Sequence, residues 1–360
     1  MLYMTRRKCK ANETEINIEA AYISLMSAIQ SYFDTYRTLS YAECYVDFCD
    51  FRGKREKWKD GEKQINDTPE YRCDYFTSIT HFQHFFEIVI KGILKNYDEK
   101  YKDFPSALQK LKALHKNNPH EDTIKEIEIL LGNRGTLCVL NKLRNFAWHQ
   151  GLIKKAYRSY DFFVGYKILP LVSKIVDTLK HSRKRRLWAY KKVYSDLDPM
   201  DEIYKEFKKQ GRNADYEKVA LLKEIGRAAY HNPLFLNEYE DCDGKKYHLH
   251  RRVVQMTNRD IMNEYGAKTK NYKIMFPYLK LLRCPVCGQK MLVKFMDAGD
   301  ENVIDGDENV FCEMVEVLDK YECQVCSFRI NPNIKSLSIN TINGKEIWKW
   351  KGKEFLVMEE

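Results

Sequence analysis

Apolar residues recur at steps of three and four along much of the chain. Ile18, Tyr22, Leu25, Ile29, Tyr32 and Tyr36 form one such stripe, the period of an amphipathic helix. Ile79, Phe82, Phe86, Val89 and Ile93 form a second, within TSITHFQHFFEIVIKGILKNY. Shorter helices are expected over 105–115 and 121–131. Another should run from Thr136 to about His149, stopped by Gly151, and a long one over 160–180 carries Pro170, which should kink it. Such helices with short links predict an antiparallel bundle over residues 1–180. Between its first two helices, YAECYVDFCDF leads into charged, turn-rich residues, so an irregular insertion is expected at about 41–76.

From 181 to 280 the chain is more polar and basic, and DPMDEIYKEFKKQ and NADYEKVALLKEIGRAAY predict a helical connector. After Leu282 the texture changes to short strand-like runs (KMLVKF, VFCEMVEVL, SLSINTI, EIWKWK, EFLVM) broken by Gly, Asn and Asp, which predicts a small β domain over 281–360. The expected fold class is mainly α, with a C-terminal β module.

Charge sharpens this division. The chain of 360 residues has a net charge of +10. Residues 281–360 hold 10 Lys and Arg against 14 Asp and Glu, a net of −4, whereas residues 1–280 hold 51 against 37, a net of +14. With 44% hydrophobic positions and only 16 Gly and 9 Pro, disordered and collagen-like chains are excluded. No run of 18 uncharged apolar residues occurs, and MLYMTRRKCKANETE turns polar before a signal-peptide apolar region could form. A cytoplasmic protein without a membrane span is expected.

In that compartment thiols stay reduced, so 11 cysteines point to metal ligation rather than disulfides. Four of them form two CxxC pairs, Cys284/Cys287 and Cys323/Cys326. Two such turns bring four thiolates to one tetrahedral ion, and with no open coordination position the metal is structural. The expectation is a zinc ribbon holding structural Zn2+. Pro285 and Gly288 suit the first knuckle turn, while the second lacks the following Gly. The acidic stretch Asp297 to Glu308 is expected as a protruding loop, and its charge disfavours phosphate binding there. Cys242, His248 and His250 offer part of a second metal site, but YHLHRR also reads as an ordinary strand with no clean fourth ligand.

The most informative basic segment is VLNKLRNFAWHQG. At about 100° per residue, Asn141, Asn145 and His149 form a polar stripe beside Arg144 and Trp148, with Leu137, Leu140, Leu143 and Ala147 on the apolar side. Such a seam is either a solvated helix end, where Arg meets the dipole favourably, or a set of groups kept for chemistry. HSRKRRLWAYKK places Arg183, Lys184, Arg185, Arg186, Lys191 and Lys192 around Trp188 and Tyr190. That mixture suits single-stranded RNA as well as a solvated basic helix. Trp148 could stack on a base or pack, and His81 and His84 could approach the same cleft or remain ordinary helix histidines.

Arg144-Asn145-x-x-x-His149 resembles the RxxxxH signature of HEPN domains, helical bundles found in RNA-cleaving toxins and antiviral defence proteins. Glu87-x-x-x-Lys91 on the preceding core helix and the helix over 160–180 resemble the family's context, and the resemblance covers about residues 15–180. Gly151 stands where one HEPN subclass has a Tyr that its antitoxin modifies, so that mode of control is not expected.

The resemblance implies a metal-independent endoribonuclease, a toxin or abortive-infection effector, with catalytic Arg144, Asn145 and His149 in a composite homodimer cleft and no catalytic metal. The RNA-binding candidates are Arg183, Arg185, Arg186, Trp188, Lys191 and Trp148. A regulatory protein or antitoxin is a further expected partner. The alternative is a non-catalytic HEPN module that binds RNA or protein, with the ribbon as adaptor.

Overall fold

The computed structural model describes residues 18–35, 69–117, 124–150, 157–179, 197–231, 238–240, 246–249, 255–256, 270, 281–304, 310–330, 337–340, 346–351 and 354–357. These are mostly helical, with antiparallel strands towards the C-terminus. The helices are α1 (Ile18–Asp34), α2 (Pro69–Lys95), α3 (Phe104–Asn117), α4 (Ile124–Gly132), α5 (Arg134–Gln150), α6 (Tyr157–Phe163), α7 (Leu169–Leu179), α8 (Pro199–Gln210) and α9 (Tyr216–His231).

The described parts of the two long apolar stripes are buried as their period requires; the Ile18 side chain and Tyr36 lie outside the described residues. Tyr22, Leu25, Ile29 and Tyr32 on α1, and Ile79, Phe82, Phe86, Val89 and Ile93 on α2, are inaccessible or nearly so. Because α2 starts at Pro69, residues 69–76 are helix rather than part of an irregular insertion, with proline at the first position, where its missing N–H costs nothing. At the start of α3, Asp103 Oδ1 accepts the Ser106 N–H at 2.8 Å and Ser106 Oγ accepts the Asp103 N–H at 2.9 Å. This reciprocal cap satisfies two otherwise orphaned donors.

The helical run from 157 to 179, where a kink is expected at Pro170, changes its hydrogen-bond register just before that residue. Val164–Ile168 form a π-turn between α6 and α7, closed by Leu169 N–H on the Val164 carbonyl. Pro170 has no N–H to give to the ladder, and the wider register is set in the turn before it.

The stretch 181–280 is likewise not helical throughout. α8 is capped by Asp198, whose side chain accepts from the Met200 and Asp201 amides, and it ends at Gly211 with φ 62°, the left-handed position glycine favours. Gly211–Asn213 make a 3-10 turn, α9 follows, and the chain then forms a three-stranded meander, β1 (Glu238–Glu240), β2 (Lys246–Leu249) and β3 (Gln255–Met256).

A four-stranded antiparallel sheet comes next: β4 (Leu282–Arg283), β5 (Lys290–Ile304), β6 (Val310–Cys323) and β7 (Arg329–Ile330). The acidic stretch is thus largely strand, since β5 and β6 stay paired from Leu292↔Cys323 to Ile304↔Val310. β8 (Leu337–Asn340), β9 (Glu346–Lys351) and β10 (Glu354–Val357) close as a second meander.

Chain contacts group the residues into two compact units: 1–29, 76–155 and 170–185 form one, and 30–75, 156–169 and 186–360 the other. The core of the first is built from residues such as Leu25, Phe82, Phe86, Leu111, Leu130, Leu140 and Ile175. The second buries Phe33, Val164, Ile203, Phe207, Leu221 and Ile225. Among the described residues no helix is long and apolar enough to cross a membrane.

Candidate functional site

In the first unit, α5 buries Leu137, Leu140 and Ala147 and leaves Asn145, Trp148 and His149 exposed. Arg144 lies between these faces. Its Nη1 donates to Asn145 Oδ1 at 2.9 Å, and its guanidinium stands over the Trp148 ring, 5.9 Å from the centroid. Trp148 is 55% exposed yet oriented by α2, where Phe76 meets it edge to face at 5.2 Å. The indole packs on one side and supports the arginine on another.

Asn145 therefore holds the arginine, not the histidine one turn further on. His149 has no hydrogen-bond partner among the described residues, and the Arg144 Nε–H is buried without an acceptor. A buried guanidinium donor without a partner is uncommon and calls for one.

The polar residues of α2 form their own chain. Glu87 accepts from Lys91 at 2.7 Å and from Gln83 at 3.0 Å. Burial works against its charge, but the Lys91 and Gln83 hydrogen bonds hold its carboxyl below the usual range. His84 Nδ1 lies 2.7 Å from Ser24 Oγ on α1. Burial, helped by the neighbouring His84, holds His81 below the ordinary imidazole range, and its Nδ1 has no partner. Among the described residues no hydrogen bond or ion pair joins His81, His84 or Glu87 to Arg144, Asn145 or His149. Arg183, Arg185, Arg186, Trp188 and Lys191 lie outside the described residues, as do Cys242 and His250. His248 sits on β2 opposite Glu238 and Met256.

The second unit brings Cys284, Cys287, Cys323 and Cys326 together. All four are buried, and their sulfurs lie within 4.8 Å of one another. The Cys284–Cys326 and Cys287–Cys323 sulfur separations are both 3.6 Å. Four sulfurs placed about 2.3 Å from one tetrahedral ion stand about 3.8 Å apart, so the cluster could hold a metal ion such as zinc. Burial pushes the Cys284 and Cys326 thiols up, while hydrogen bonds from Cys284, Cys287 and Cys326 push the Cys323 thiol down.

The two knuckles are duplicates. Cys284 N–H bonds the Gln289 carbonyl at 2.9 Å and Gly288 N–H bonds the Cys284 carbonyl at 2.9 Å; Cys323 with Phe328 and Ser327 with Cys323 repeat this at 2.8 and 2.9 Å. The geometry needs a left-handed residue after the second cysteine. Gly288 supplies it at φ 71°, and Ser327 supplies it at φ 57°. The glycine missing from the second knuckle is thus replaced by a serine in the same conformation. Its strain, of order 1–2 kcal/mol for a residue with a Cβ, is offset by a partner: Arg227 of α9 donates to the Ser327 carbonyl and, at 3.2 Å, to its Oγ.

That partner is the element sequence reasoning missed. Glu224 grips Arg227 with both oxygens at 2.6 Å, and its Oε1 also accepts the Arg329 N–H at 2.7 Å. A buried ion pair on α9 therefore reads the backbone on both sides of Phe328. The signal was available, because VALLKEIGRAA is apolar all round except for Lys223, Glu224 and Arg227. Charges on an all-buried helix must find partners.

No family model, no characterised protein and no solved structure matches this chain.

Proposed function

We propose that the chain is a metal-independent endoribonuclease of the HEPN type, with Arg144, Asn145 and His149 as its catalytic residues and a homodimer as its active form. The observation that carries this is the end of α5, where a guanidinium is held by Asn145 and Trp148, keeps a buried Nε–H without an acceptor, and stands one turn before an exposed histidine. A phosphodiester would supply the missing acceptor. A guanidinium that never deprotonates suits the charge that develops on the phosphoryl oxygens.

One His149 acts as base and takes the 2′-hydroxyl proton as O2′ attacks phosphorus. The P–O5′ bond breaks, and the His149 of the second protomer, acting as acid, protonates the leaving oxygen. A single histidine cannot serve both faces of this in-line displacement, which is why the dimer is needed. The products are a 2′,3′-cyclic phosphate and a 5′-hydroxyl. The four-cysteine site holds zinc in a structural role, since four protein ligands leave it no position for water. In the toxin or antiviral role that the HEPN resemblance suggests, expression of the wild type arrests host growth and expression of His149→Ala does not.

The test is incubation of the purified chain with mixed cellular RNA in the presence of EDTA, beside His149→Ala and Arg144→Ala. Cleavage should fall at least about a hundredfold in each variant, and light scattering should give twice the chain mass. An inactive wild type that still binds RNA would replace the enzyme with a non-catalytic RNA-binding module.

A further inference from the structure

The π-turn after α6 carries a second feature, in the second unit. Phe162, Tyr166 and Tyr204 form a row of nearly parallel rings. Phe162 and Tyr166 lie 5.1 Å apart with planes 21° from parallel, and Tyr166 and Tyr204 lie 6.0 Å apart at 17°. All three are half-buried. Each has a cation over it: Arg212 over Phe162 at 5.9 Å, Lys167 over Tyr166 at 4.5 Å and Lys208 over Tyr204 at 5.8 Å. The three cations are exposed.

The row depends on close packing of the backbone. A Cβ on Gly165 would stand 2.5 Å from Phe207 Cδ2 and 2.9 Å from Ile203 Cγ2, so only glycine lets the π-turn approach α8 closely enough to place Tyr166 against Tyr204. π-turns inside α-helices are frequent at functional sites. Two of these cations, Lys167 and Lys208, are not neutralised in place. Neighbouring Lys205 is committed to Asp201 and Glu202, and Glu206 to Lys218, but neither Lys167 nor Lys208 has a carboxylate partner among the described residues.

From this we infer that Phe162, Tyr166 and Tyr204, with Lys167, Lys208 and Arg212, form a binding surface for single-stranded nucleic acid. Aligned half-exposed rings accept unpaired bases by stacking, and the exposed cations that stand over them meet the phosphates that link those bases. A duplex offers its phosphates but keeps its base faces in its own stack, so it satisfies only half of the surface. The net +14 of residues 1–280 draws such a polyanion towards the chain. The inference stands on these contacts alone and holds whether or not His149 cuts RNA.

The experiment uses the full chain carrying His149→Ala, so that no cleavage can intrude, and follows the fluorescence anisotropy of labelled oligouridylate and oligothymidylate over a series of salt concentrations. Tyr204→Ala should weaken both about tenfold or more. Lys167→Gln combined with Lys208→Gln should lower the slope of log affinity against log salt by about 0.7 for each lysine removed. Circular dichroism checks that each variant keeps the wild-type helix content; the paired glutamine variant changes only exposed side chains and tests the surface even where Tyr204→Ala unfolds. Oligonucleotide affinity within twofold of wild type in the folded variants, or a duplex bound as tightly as the single strand, overturns the inference and leaves the row to a protein partner or to packing. Failure of cleavage by the wild type would bear on the nuclease reading and leave this result intact.

Discussion

Lys223 joins three elements by its side chain alone. It is fully buried on α9, bonded to Asp161 of α6 and to Thr35 Oγ1 at 2.9 Å, with the Tyr32 ring 4.5 Å from its Nζ. Burial pushes the Asp161 carboxyl up and the Lys223 ammonium down, against their mutual attraction. Removing one partner should therefore cost far more than removing both. Lys223→Met alone is expected to lose about 3–5 kcal/mol, because it strands a buried carboxylate, while Lys223→Met with Asp161→Leu recovers most of that loss. Denaturant unfolding of the two variants checks the order. His81 gives a pH dependence of known sign. Its folded-state titration is depressed by burial and by His84, so on acidification the unfolded chain takes the proton first, and stability held above the ordinary imidazole range is lost towards the lower folded value. Between about pH 7.5 and 5.5 the wild-type unfolding midpoint should fall further than that of His81→Gln; equal falls would remove His81 from the account.

Among the elements, spacing sufficed where one face of a helix is buried. The stripes of α1 and α2 are legible because each apolar side chain meets the core at a period of 3.6 residues. It failed where the cause lies in another element. Nothing near Pro170 says that the ladder widens five residues earlier, since the π-turn exists to bring Gly165 against Phe207 and Ile203 of α8. Ser327 could not be read as a left-handed residue, since the arginine that offsets its strain is 100 positions away in sequence. The acidic stretch suggests a loop by its charge, yet its backbone as far as Ile304 is satisfied by pairing with β6. The glycines separate these causes by experiment. Gly165→Ala should lose about 1–3 kcal/mol by overpacking. Gly135→Ala, on α5 with nothing within 4 Å of the added Cβ, should gain about 0.4–1 kcal/mol. Thermal melting of the pair decides whether close approach, rather than glycine itself, is what α8 requires.

At the scale of the molecule, the four-cysteine site should make metal and fold inseparable in the second unit. The purified chain is expected to carry one equivalent of zinc by elemental analysis, and stripping it with a strong chelator should lower the thermal midpoint and speed amide exchange in Tyr216–His231, because Arg227 and Glu224 lose the ordered backbone they bind. Protection of α9 that is indifferent to the metal would show that the knuckle and the helix are independent. The coupling must also run backwards. Lys223 and Glu224 are adjacent on α9, one tied to Asp161 and the other to the knuckle, so whatever free energy the ion lends to the helix core, the helix core lends to the ion. A substitution at Asp161, which touches no ligand of the site, should then appear as faster loss of zinc to a competing chelator, making metal release a gauge of packing in the interior.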